Sequence, residues 1–180
     1  MTDPQFLPNI IKQFQYYKLL GDQTFDQVSD EELFWQYNSE SNSIAITAKH
    51  IAGNAISRWT DFLNSDGEKE WRNRDSEFEA DIKNRQELIE KWKEGWACLF
   101  HALDTIDETN FHQTIYIRNM GHSIIEACQR QLAHYAYHVG QMIVMAKMMK
   151  GKDWQSLSIP RGKSQEFNKE TFKIQKSNFK

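Results

Sequence analysis

Apolar residues recur at helical spacing through most of the chain. Leu7, Ile10, Ile11, Phe14, Tyr17 and Leu20 mark one face of a first helix. Asp3-Pro4 supplies its start, a capping acceptor followed by proline in the first turn, and Gly21 is read as its end. "SDEELFWQY" predicts a short connecting helix capped by Ser29 or Asp30, with acids in its first turn. A second long helix is expected from about residue 41 to 63, with Ile44, Ala48, Ile51, Ala55, Trp59 and Phe62 on one side. The polar stretch "NSDGEKEWRNRDSEF" reads as a loop. A third helix opens near Asn84, where Glu87 completes a capping box, and runs to about Ile106. The fourth spans about His122 to Lys150 and is stopped by Gly151; "IPRGKSQEFN" and the residues after it read as an irregular tail.

No segment alternates over strand lengths, and no repeat or low-complexity block interrupts the pattern. Four amphipathic helices of about 16 to 29 residues predict an all-α fold, most economically a four-helix bundle. The 180 residues suffice for one domain, with the bundle over about 4–150 and a C-terminal extension over 151–180. The long link between the second and third helices permits a simple up-down order or a crossover.

Composition narrows the function classes. From Lys150 onward the chain carries eight Lys/Arg against three Asp/Glu, which leaves 14 against 22 in the rest, a balance of −8. An acidic body with no reader motif argues against nucleic-acid binding, and the basic tail reads as a solvated extension. No apolar run approaches the ~20 residues needed to cross a bilayer. The N-terminus lacks the regions of a signal peptide, and Cys98 and Cys128 sit in apolar helical patterns, not in a disulfide framework. These features predict a cytoplasmic protein.

The candidate chemistry lies in "QRQLAHYAYHVGQ". His134 and His138 are one turn apart and lie about 40° from each other on the helix, at the edge of its apolar arc. His50 occupies the matching edge of the second helix. If those edges meet, three imidazoles converge. Such a set can hold a divalent ion and leave a coordination position for water or substrate.

"HIAGNAISRWTDFL", "GEKEWRNRDSEF" and "CQRQLAHYAYHVGQMIVMAKMMKGKDWQSLSIPRGKS" resemble the DinB/YfiT-like superfamily, and more narrowly a bacterial branch known only as a domain of unknown function. The resemblance covers most of the chain. It implies a four-helix bundle with a crossover connection and a metal site of one His on the second helix and an H-x-x-x-H pair on the fourth. Those positions are His50, His134 and His138 here. It also implies, from some relatives, transferase or isomerase activity with a low-molecular-weight thiol, and homodimers.

Around the histidines, Arg58 and Arg130 are candidates to hold an anionic substrate, with Arg72 and Arg74 either joining them or tying the loop down through acid pairs. Asn54 is a candidate acceptor behind a metal-bound His, Gln141 shares the polar stripe of the histidine pair, and both are further candidates for substrate binding. His122 begins the fourth helix about 18 Å from His134 and cannot join them. His101, His112 and both cysteines read as structural or solvent-facing. The Met142, Met145, Met148 and Met149 cluster reads as core or a subunit contact. Two function classes remain. One is a metal-dependent enzyme, a hydrolase or thiol S-transferase acting on a small molecule, with zinc expected first and Ni, Fe or Mn as alternatives. The other is a non-catalytic metal- or ligand-binding module.

Overall fold

A computed structural model of the chain describes residues 5–173, so the expected Asp3-Pro4 start lies outside the described residues. The chain is mostly helical: α1 (Phe6–Gln27), α2 (Asp30–Phe34), α3 (Ile44–Trp59), α4 (Arg85–Asp104), α5 (Ile124–Lys150) and α6 (Ser164–Thr171). A hairpin of β1 (Thr114–Ile117) and β2 (Met120–Ser123) precedes α5, and short 3₁₀ turns occupy Asp75–Phe78 and Gly151–Asp153.

The four long helices share one core. α3 packs on α4 and on α5, and α1 packs on α5 and on α4. Phe14, Trp92, Trp96 and Tyr135 are fully buried at its centre, with edge-on contacts between Trp92 and Trp96 at 5.4 Å and between Phe14 and Tyr135 at 6.1 Å. Offset and edge-on ring pairs of this kind add roughly 0.5–1.5 kcal/mol each beyond the area they bury.

Gly21 does not end α1. It sits buried inside the helix, where a β-carbon would stand 2.5 Å from Cζ2 of Trp92. The glycine makes room for the indole, and Trp92 Nε1 donates to Asp22 at 2.7 Å. α1 therefore continues to Gln27, where Arg85 donates to the carbonyls of Phe25 and Val28 and closes the helix end from outside.

Ser29 caps α2 in a complete capping box with Glu32. At α4 the box is incomplete: Asn84 accepts from Glu87 N–H, but the Glu87 carboxylate takes the N–H of Lys83. The cap of α5 is Ser123, paired with Glu126, so His122 belongs to β2 and not to the helix. Gly151 ends α5 as expected, with a φ of 54°.

The hydrophobic pattern does not predict the hairpin. Its strands have four residues each, and its two-residue turn, Arg118-Asn119, takes φ of 55° and 60° without a glycine. Such a turn matches the twist of the strands but strains an arginine. Asp66 holds it, accepting the N–H of Arg118 at 2.8 Å and of Asn119 at 2.7 Å. Ile115 and Ile117 are buried beneath. As far as residue 173 the tail is also more regular than expected, and the rest of it lies outside the described residues: Gln155 exchanges two hydrogen bonds with Gln27, and α6 forms beyond it.

A candidate metal centre between α3 and α5

α3 and α5 bring His50, His134 and His138 together, and their nitrogens lie within 4.8 Å of one another. His134 Nε2 is 3.3 Å from His50 Nε2 and 3.1 Å from His138 Nε2. Periodicity alone puts these residues at the rim of the core, but His50 and His138 are buried, at 3% and 8% exposure. The loop after α3 covers His50. Phe78 from that loop stacks on the His50 ring at 4.6 Å.

The opposite ring nitrogens are held. His50 Nδ1 donates to Glu77 Oε2 at 2.8 Å, and His138 Nδ1 donates to Gln141 Oε1 at 2.8 Å. A carboxylate and an amide oxygen can only accept, so both imidazoles carry their proton on Nδ1 and turn an Nε2 lone pair inward. Both lone pairs face the same nitrogen of His134, which has at most one proton to offer. A divalent cation between them would resolve that clash. Nitrogens bound tetrahedrally at about 2.0–2.1 Å stand about 3.3 Å apart, close to the 3.3 and 3.1 Å that separate His134 from His50 and His138.

Glu77 comes from the 3₁₀ turn, and the fold places it by several contacts. Lys49, next to His50 on α3, donates to the carbonyl of Ser76 and pairs with Asp81, which pins the loop over the helix. Arg72 grips Glu77 with two bonds, of 2.7 and 3.0 Å. Gly53, one turn after His50, leaves the space: a β-carbon there would meet the Glu77 carboxyl at 2.9 Å. Burial opposes ionisation of Glu77, but the bonds from His50 and Arg72 and the Arg72 charge outweigh it and hold the carboxyl below its ordinary range.

The same burial favours the neutral form of His134 and His138. His134 is pushed down to about 3, first by desolvation and then by His138, His50, Arg58 and Arg72. His138 moves in the same direction through burial, against the bond to Gln141. Neutral imidazole is the form that binds a metal.

The other expected residues divide. Asn54 accepts from Gln131 at 2.8 Å through its side-chain oxygen and not from a histidine, and it lines the same cleft as the arginines. Glu77, which sequence pattern leaves among the acids of a polar loop, takes the place behind His50. Gln141 orients His138. Arg58, Arg72, Arg74 and Arg130 all line a cleft of about 210 Å³ that opens beside His50 and His134. Arg72 does tie the loop, pairing with Glu68 at 3.1 Å as well as with Glu77. His101 and His112 are exposed and Cys128 is buried in the core, as expected, while Cys98 is half-buried. Met142 is buried in the core and Met148 is exposed.

Residues 2–163 match the model of a family described as "Protein of unknown function (DUF1572)". The chain belongs to that family. No curated protein and no solved structure matches it. In this member of the family, the match spans all three histidines and the loop that supplies Glu77. No described helix is long and apolar enough to cross a membrane.

Proposed function

We propose that this protein binds a divalent metal ion through His50, His134 and His138 and acts as a metal-dependent enzyme on a small molecule. The observation that carries the reading is the inward turn of three Nε2 nitrogens at ligand spacing, with Glu77 and Gln141 fixing the tautomers of two. Outer partners of this kind orient metal-bound imidazoles and raise their basicity. Zinc is the first choice for three neutral imidazoles, with Ni, Fe and Mn behind it.

A bound divalent ion would lower the pKa of a coordinated water or thiol and make a nucleophile near neutral pH. The chain's own residues supply the rest: Phe78 and the loop exclude water from one side of His50, and the cleft admits a ligand on the other. This suits a hydrolase or a low-molecular-weight-thiol S-transferase. The resemblance to the DinB/YfiT-like superfamily supports that class. The packing is compatible with the bundle that the resemblance implies: α1 and α3 each pack on α4 and on α5, an arrangement that a crossover connection would give. The homodimer implied by that resemblance fits the exposed Tyr137, Val144 and Met148 on the outer side of α5.

An enzyme needs an exchangeable coordination position. Azide or a simple thiol should change the visible spectrum of the Co²⁺-substituted protein. A spectrum unmoved by any added ligand would mean a closed site and a non-catalytic metal-binding module.

A further inference from the structure

Five guanidinium groups converge on the cleft beside the histidines. Arg58 comes from α3, Arg72 and Arg74 from the loop after it, Arg118 from the hairpin turn, and Arg130 from α5. Three acids answer them: Asp66, at the hairpin turn and within electrostatic reach of Arg58, together with Glu68 and Glu77. Glu68 accepts from Arg72 at 3.1 Å and Arg118 at 3.2 Å and lies 3.5 Å from Arg58, while Glu77 is taken by Arg72 and His50. Among the described residues, no carboxylate pairs with Arg74 or Arg130; Arg74 lies instead 5.1 Å above the Phe78 ring. The cluster therefore holds a surplus of two positive charges in a molecule whose net charge is −3.

Packing alone does not call for that surplus. A loop clamp is complete with Arg72, Glu68 and Glu77. Further cations brought in from three other segments repel one another, a cost that water relieves in part at the exposed Arg74 and Arg130 and that an anion between them would offset. Arg58 shows the strain. Its side chain is 9% exposed, its Nη1 is buried without a hydrogen-bond partner, and burial, with Arg72, Arg118 and Arg130 opposing Glu68, lowers its pKa to about 10.

We propose that this cleft binds the oxyanion end of a small, multiply charged acid, either a phosphoryl group or a pair of carboxylates. Guanidinium is the side chain suited to both, through paired N–H donors. At about 210 Å³ the cleft admits such a group and is smaller than the roughly 300–1,000 Å³ of a drug-sized pocket. Since His50 and His134 share its wall, an anion anchored there would present the rest of its molecule to the metal centre. That placement rests on the metal reading. The anion site itself, built of arginines, does not need the ion.

Isothermal titration of the full chain with inorganic phosphate and with malonate, in chelator-treated and in zinc-loaded protein, tests this. Saturable binding of at least one probe is expected in both forms. Replacing the exposed Arg74 and Arg130 together by Gln should weaken it about tenfold or more, since each charge-assisted bond is worth a sizeable part of the binding energy. Arg161→Gln, in the exposed tail, should not. Stronger binding of one probe would identify the group as phosphoryl or dicarboxylate. No saturable binding of either probe, or equal affinity in the double variant, would overturn the proposal. Metal bound without anion binding would defeat this inference alone, and anion binding without metal would defeat only the metal reading.

Discussion

At the scale of single residues, the proposed centre depends on groups that would not touch the ion. Glu77 fixes His50 and is itself held by Arg72 and given room by Gly53. Glu77→Gln keeps an acceptor near Nδ1 but removes the charge and leaves Arg72 short of a partner. Metal affinity should fall about 10–100-fold by chelator competition, with the helical circular dichroism retained. An unchanged affinity would exclude Glu77 from the centre.

The imidazoles also predict a pH dependence. In metal-free protein, His134 titrates near 3 when folded, through burial first and then its charged neighbours, against about 6.5 when unfolded. Between those values the unfolded chain binds the extra proton, so stability is complete above about pH 6.5 and declines as pH falls towards 3. His138 acts in the same direction. Urea midpoints at pH 5 and 7 should differ more in chelated wild type than in His134→Gln. Equal differences would show that His134 is not held neutral by the fold.

At the scale of elements, sequence pattern serves where a periodic face meets its own partner. The long helices and the His134–His138 pair are legible because both follow the period of the helix. The exceptions are set by distant residues. Gly21 looks like a helix stop, yet its meaning comes from Trp92 on α4, against which it packs. The hairpin is hidden because its strands are short and its turn relies on Asp66, about fifty positions earlier, instead of glycine. Glu77 lies in a loop with no period, and the one sign of it is a glycine at position 53, one turn from His50. Gly21→Ala tests the first point. Helix propensity alone favours alanine by up to about 1 kcal/mol, while overpacking against a buried indole costs roughly 1–3 kcal/mol. The clash should win and lower the melting temperature by several degrees; a rise would mean that Trp92 yields freely.

At the scale of the whole molecule, an acidic helical body gathers its histidines and a surplus of arginines at one place, where α3, α5, the loop after α3 and the hairpin meet. The loop between α3 and α4 is the organiser: it covers His50, supplies Glu77 and carries two of the cleft's arginines. The central claim is that three of the six histidines hold an ion. Elemental mass spectrometry of protein purified without a metal-affinity tag measures it directly. Wild type, His101→Ala and His112→Ala should carry about one divalent ion per chain, while His50→Ala, His134→Ala and His138→Ala should each lose most of it. Equal metal in all five variants, or none in wild type even after reconstitution, would contradict that claim.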